Sequence, residues 1–271
     1  MADATQDYLL DRRIRYAQPA DIYRTGIEPV MLAAAVPAKP GQRVLELGTG
    51  AGAGLLCLAT RVPGVSGLGV EIQSELVGLA QRNIAANNLL DWLSVTQSDV
   101  DTFEALGAFD QGFANGPFDH GFANGPFDHG FANGPFDHAF ANPPWHPETG
   151  TASPLAERDQ ARRTKAGLFS SWAKIMAKHL RHRGTMTLIL PAAALASGIA
   201  ALTGCGCGSI ALLPLWPKMG REAKIILVQA TRGGAGPCRM LPGLTLHQPD
   251  GRYTSEAEGI LRRGEALRAG I

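Results

Sequence analysis

Cysteine is scarce in this chain: Cys57, Cys205, Cys207 and Cys238 are the four in 271 residues. Cys205 and Cys207 stand two apart with no further ligand residues beside them, a pattern that excludes a zinc site of the usual spacing. Reduced thiols in a cytoplasmic protein are the expectation. Long hydrophobic runs are missing too, since none reaches the roughly 18 residues a bilayer span needs. The opening stretch MADATQDYLLDRRIRY is polar and charged, unlike a signal peptide. Neither a membrane partner nor export is therefore expected. An overall excess of one charge is also absent, because 25 Lys+Arg against 24 Asp+Glu leave a formal +1. Apolar residues at 45% and charged residues at 18% exclude a disordered chain and allow a substantial core.

The charge that is present is unevenly placed. Between 158 and 183, Arg158, Arg162, Arg163, Lys165, Lys174, Lys178, Arg181 and Arg183 face a single acid, Asp159, so this stretch carries +7 and the remainder −6. Leu168, Phe169, Trp172, Ile175, Met176 and Leu180 recur there at helical spacing, with Lys174, Lys178 and Arg181 on the other face. Such a patch is either a solvated helix face or an electrostatic footprint for a polyanion.

Strands and helices alternate along the chain. Residues 1–40 read as an N-terminal extension with one helix over Gly26–Val36, and 41–271 as the main domain. Arg43–Leu47, Gly67–Glu71 and Leu93–Gln97 read as strands, and Gly54–Arg61 and Ser74–Asn87 as the helices between them, with Asn88 near a C-cap. A further strand is expected over Thr185–Leu190, followed by Ser209–Leu215 and Lys224–Gln229, with no long helix after the last. A helix over Ser255–Ala269 closes the chain. This order implies βαβ units and a parallel sheet.

The first strand ends in Glu46-Leu47-Gly48-Thr49-Gly50-Ala51-Gly52, where glycines let the backbone turn sharply and approach a ligand ahead of a helix N-terminus. Glu71, at the end of the second strand, can accept two hydrogen bonds from ribose hydroxyls. Asp99 follows the third and can receive an adenine amino group. Together they suit an adenosine-bearing cofactor. A dinucleotide also fits a glycine loop, but Glu46 lies inside the motif, where a carboxylate suits the cationic methionine end of S-adenosylmethionine.

A second motif, Asn142-Pro143-Pro144-Trp145, follows a strand-like FDHAFA. An amino group conjugated to a ring is a poor nucleophile because its lone pair is delocalised. The Asn142 side-chain oxygen and the Pro143 carbonyl can each accept one N–H, and rigid prolines hold both acceptors so that the nitrogen lone pair is aimed at the methyl group. Trp145 can stack on a base taken out of its helix.

With VLELGTGAG, GVEIQ, SDV and FANPPW in this order, the chain resembles the class I S-adenosylmethionine-dependent methyltransferases that modify exocyclic or amide nitrogen. More narrowly, QPADIYRTGIEPVMLAAA at Gln18–Ala35 and the tail LHQPDGRYTSEAEGILRRG are similar to the bacterial tRNA-valine adenine-N6 methyltransferase family. The resemblance implies an α/β, Rossmann-like fold: a seven-stranded, mostly parallel sheet with its last strand antiparallel and helices on both faces. It implies cofactor contacts at Glu46, Gly48, Thr49, Gly50, Gly52, Glu71, Ile72, Asp99 and Val100, and at Tyr23, Arg24 and Thr25 near the methionine end. It implies catalysis at Asn142, Pro143, Pro144 and Trp145, although Trp145 stands where that family commonly has Tyr. RNA, in particular tRNA, is the implied partner, with phosphates on Arg162, Arg163, Lys165, Lys174 and Lys178. Protein-glutamine methyltransferases share the four-residue motif but usually carry a helical N-terminal domain that this chain lacks. A cofactor-binding protein with impaired catalysis is the third reading.

The segment FDxxFAN occurs four times with a period of nine, at 109–115, 118–124, 127–133 and 136–142. Each copy offers an Asn, a carbonyl, a Pro and an aromatic, so four segments compete for one strand. Spacing from Asp99 favours the first copy; chemistry favours the last, the one ending Asn-Pro-Pro-Trp, because a glycine after the Asn orients its carbonyl less well. The expectation is the last, with the others in a surface loop and Asn142 alone in use.

Overall fold

The computed structural model describes residues 4–20, 24–104, 135–144 and 167–267. Copies one to three of the repeat, Tyr23, Trp145, Arg162, Arg163 and Lys165 lie outside them.

An antiparallel hairpin, β1 (Ala4–Leu9) and β2 (Ile14–Pro19), opens the chain ahead of helix α1 (Glu28–Ala35). The hairpin does not announce itself in the sequence because β1 buries little of either face, whereas Leu10, Ile14 and Tyr16 are buried in one cluster with α1. Then follow β3 (Arg43–Leu47), α2 (Ala53–Arg61), β4 (Ser66–Glu71), α3 (Ser74–Ala86) and β5 (Leu93–Gln97). The second half holds β6 (Phe136–Ala141), α4 (Leu168–His179), β7 (Leu180–Pro191), α5 (Leu195–Gly204), β8 (Cys207–Lys218) and β9 (Ile225–Arg232). Short edge strands β10 (Arg239–Met240) and β11 (Leu244–His247) and helix α6 (Ser255–Arg263) end it.

The main sheet runs β10-β8-β9-β7-β6-β3-β4-β5, with β11 also paired to β8. Seven strands form the expected core of it. β9 alone runs antiparallel to its neighbours, β7 and β8, as expected of the last of the seven. The central strands are buried on both faces, so β4 is buried along its whole length and β9 opens on the apolar run Ile225–Val228. Two hydrophobic clusters flank the sheet: one joins α1, α2 and the hairpin, the other α4 and α5.

Three expectations change. Helix α5 has no expectation in the sequence because Ala, Gly and Ser dilute its apolar stripe. Strand β7 begins at Leu180, so Arg181 does not share the helix face with Lys174 and Lys178; its Nε donates to Asp137 at 2.6 Å. Strands β10 and β11 extend the sheet beyond seven.

The fourth repeat copy fills the strand slot between β3 and β7. Its Asp137 accepts the Arg43 N–H at 2.9 Å, and Phe136, Ala139, Phe140 and Ala141 are buried. The other copies carry glycine where this one has Ala139, a residue less costly to order in a strand.

Candidate active site

Strands β3, β4 and β5 run outward in one direction from the sheet centre, and β6 and β7 in the other. The crevice at this reversal, beyond the carboxyl ends of β3 and β6, is where doubly wound sheets bind ligands. Leu47 pairs with Ala141, so Gly48 and Asn142 leave the sheet side by side.

The loop after β3 is fixed by its own hydrogen bonds. The N–H groups of Gly48 and Thr49 donate to the Val70 carbonyl at 2.8 and 3.0 Å, and Gly52 N–H to the Thr49 carbonyl at 2.9 Å. Gly48 lies at φ +66°, and a Cβ there would come within 2.6 Å of the Trp172 ring. Trp172, on α4, thus packs directly on the start of the loop, a contact invisible in its place within an apolar helical stripe.

Glu46 lies inward. Its Oε2 accepts the Thr49 hydroxyl at 2.5 Å and the Leu55 N–H at 3.1 Å, joining the loop to the first turn of α2. Burial lifts its carboxyl to about 8, against the lowering effect of these two donors. Its placement makes it a brace for the loop, where the sequence suggested only a counter-charge.

Glu71 is buried at the end of β4. One oxygen accepts Gly50 N–H at 2.9 Å and the other Gln73 N–H at 3.0 Å. A carboxylate has about four lone-pair sites, so two backbone donors leave capacity for the paired hydroxyls of a ribose. Ile72 beside it is 44% exposed, an apolar surface of the kind an adenine ring covers. Asp99 is exposed and caps the short turn Val100–Thr102 by accepting Asp101 N–H at 2.9 Å; Val100 is buried beneath. These residues fit an adenosine-bearing cofactor.

The opening segment reaches the loop indirectly. Thr25 donates its N–H to Gln18 at 2.9 Å, and its hydroxyl meets that of Tyr16 at 3.0 Å. Arg24 is exposed, 4.0 Å from Asp7. Asn83 of α3 is a support of the loop that sequence reasoning missed: buried, it donates to the carbonyls of Ala17 in β2 and Ala51 in the loop, at 2.8 and 2.9 Å. Only its polarity on the buried side of a helix signalled it.

After β6, Pro143 is buried and Pro144 half-buried. The Asn142 Oδ1 is buried and has no hydrogen-bond partner among the described residues. Lys174 and Lys178 are exposed one turn apart on α4, and Lys178 pairs with Glu104.

Residues 29–129 match the family model of the methyltransferase small domain. A predicted O-methyltransferase from Agrobacterium tumefaciens is similar at 21% identity, over 88% of this chain and 97% of its own, with a TM-score of 0.65, which shows a shared fold. A SAM-dependent O-methyltransferase from Thermotoga maritima aligns at 15% identity, over 79% of this chain and 68% of its own, with a TM-score of 0.49. Among the described residues no helix is long and apolar enough to cross a membrane. The chain, whose residues 29–129 match that family model, is an S-adenosylmethionine-dependent methyltransferase.

Proposed function

We propose that this enzyme methylates an exocyclic amino nitrogen, with adenine N6 in tRNA as its target. The observation that carries the reading is the Asn142 Oδ1, a buried acceptor without a partner among the described residues, at the carboxyl end of β6. An unpaired buried acceptor costs about 1–3 kcal/mol; an N–H of the substrate would satisfy it. The Pro143 carbonyl, held by two prolines, takes the second N–H. Both protons of the amino group are then engaged, and its lone pair is left for the methyl group that S-adenosylmethionine supplies. Glu71 and Asp99 bind and orient the cofactor's adenosine, Glu46 holds the loop in shape, and Trp145 stacks on the base.

The RNA part of the reading rests on α4. Its inner face packs Trp172 against Gly48, while Lys174 and Lys178 are exposed on the same helix. Phosphates bound there, together with Arg162, Arg163 and Lys165, would set a nucleotide at the crevice.

The test is incubation with labelled cofactor and either tRNA or total protein, followed by mass spectrometry of nucleosides and of glutamine. N6-methyladenosine in tRNA is the expected product. Methylglutamine would replace the substrate class and keep the amino chemistry. An O-methylated product would overturn both. Asn142→Ala should lower turnover by about 10²–10³-fold, as for loss of a group that acts in the transition state, while cofactor affinity stays unchanged.

A further inference from the structure

We propose that Cys205 and Cys207 are a redox-sensitive dithiol that closes reversibly to a disulfide when the protein meets a peroxide. Their Sγ atoms stand 3.8 Å apart at the junction of α5 and β8. Gly206 between them has φ +78°, so the chain turns tightly there and brings both side chains to one side. Cys207 is buried and Cys205 half-buried, which leaves one sulfur accessible to a small oxidant and the other sheltered beside it.

The surroundings favour a thiolate on the accessible member. Arg232 faces Cys207 across the β8–β9 ladder, and its charge favours ionisation of both sulfurs. The hydrogen bond shared with Cys207 draws the Cys205 thiol below its usual range, while the same bond and burial push Cys207 up. An accessible low-pKa thiol next to a resolving cysteine is the arrangement of redox-sensing sites. The other two cysteines stand apart from the pair: Cys57 is buried with its thiol pushed up by burial, and Cys238 is exposed.

The chemistry balances without further reagents. The Cys205 thiolate attacks one peroxide oxygen, the O–O bond breaks, and the departing hydroxide takes a proton to leave as water. Cys205 is then a sulfenic acid. The Cys207 sulfur attacks the Cys205 sulfur, the S–S bond forms, the S–O bond breaks, and a second water departs with the Cys207 proton. Two thiols lose two electrons in all, and one peroxide becomes two waters. The pair sits at the amino end of β8, the opposite end of the sheet from Gly48 and Asn142, so the inference stands apart from methyl transfer.

The full chain, treated with hydrogen peroxide, denatured and alkylated, tests this by peptide mass spectrometry. The peptide holding Cys205 and Cys207 should lose the mass of two hydrogens and resist alkylation, and dithiothreitol should restore both thiols. Cys57 should remain alkylatable throughout. In Cys207→Ser, Cys205 should instead be trapped by dimedone as a sulfenic acid. Alkylation of both Cys205 and Cys207 after peroxide, at doses that already oxidise Cys238, would overturn the proposal. So would a bridge from either one to Cys57 or Cys238 in place of the internal one.

Discussion

Asn83 grips Ala17 on both sides of its backbone: its Oδ1 accepts the Ala17 N–H at 2.7 Å and its Nδ2 donates to the Ala17 carbonyl at 2.8 Å. One helical turn on, Asn87 does the same to Arg15, at 2.9 and 2.7 Å. Residues two apart on a strand lie about 6.7 Å apart and residues four apart on a helix about 6 Å, so two carboxamides of α3 can pair with β2 as a neighbouring strand would. Because Asn83 also holds the Ala51 carbonyl, the hairpin and the cofactor loop share one support.

Asn83→Ala should therefore cost more than an ordinary helix substitution. One buried and two partly buried backbone groups lose their partner, and a loss of about 2–4 kcal/mol in denaturant unfolding is expected. Cofactor affinity should fall with it. Asn87→Ala, which leaves the loop untouched, should lower stability without that loss of affinity. Equal effects on affinity would show that the coupling through Asn83 is absent.

Gly48→Ala and Gly50→Ala separate backbone strain from collision. Both sites have positive φ, +66° and +57°, but only a Cβ at Gly48 meets another group, the Trp172 ring. Gly50→Ala should cost about 1 kcal/mol, the strain of the left-handed region, and Gly48→Ala distinctly more. Thermal unfolding of the two variants checks the order.

His138 gives stability an acid-side dependence. Its Nε2 meets Gln42 Oε1 at 3.0 Å, and that oxygen also accepts the Lys39 N–H, so Nε2 carries the proton and Nδ1 accepts the Thr185 hydroxyl at 2.7 Å. Burial lowers this histidine from 6.5 to about 4. As pH falls from 6.5 towards 4, the unfolded chain takes up a proton here and the folded one does not. Stability should fall over that window by on the order of 3 kcal/mol. The difference between wild type and His138→Gln, followed by denaturant unfolding, should change across this window and be flat above it.

Glu46 acts with the opposite sign. Its folded carboxyl is raised from 4.5 to about 8, so between these values the unfolded chain releases a proton that the folded chain keeps. Stability should decline as pH rises through that range. Glu46→Gln, which can still accept from Thr49 and Leu55, should gain on wild type progressively from pH 4.5 to 8. A constant difference would mean that the carboxyl is ionised throughout.

Lys174→Ala should weaken tRNA binding about equally for all sequences and reduce the salt slope by about one ion. Lys178→Ala should do less at low salt, because Glu104 already engages its ammonium group. Filter binding across a salt series reads both.

Much of this was legible in order and spacing. Arg43–Leu47 and Leu93–Gln97 fall where the apolar pattern puts strands, and Gly48, Glu71 and Asp99 follow three strand ends that a parallel sheet brings to one edge. The hairpin was not legible, because its stability comes from Asn83, Asn87 and a few buried residues, and not from its own alternation. Nor was the inward turn of Glu46, which depends on where Thr49 and the α2 N-terminus lie.

The sequence by itself determined the fold class, the glycine loop after β3 and the order of the acids, because these depend on local periodicity and on glycines at positive φ. Only the tertiary structure decided which of four near-identical repeats enters the sheet. Phe, Ala and Asn recur in every copy, so local preference barely separates them. The slot takes one strand, and there Arg43, Arg181, Gln42 and Thr185 meet Asp137 and His138; copies two and three carry the same Asp-His pair, so these contacts fix the register, while Ala139, glycine in every other copy, sets the fourth apart.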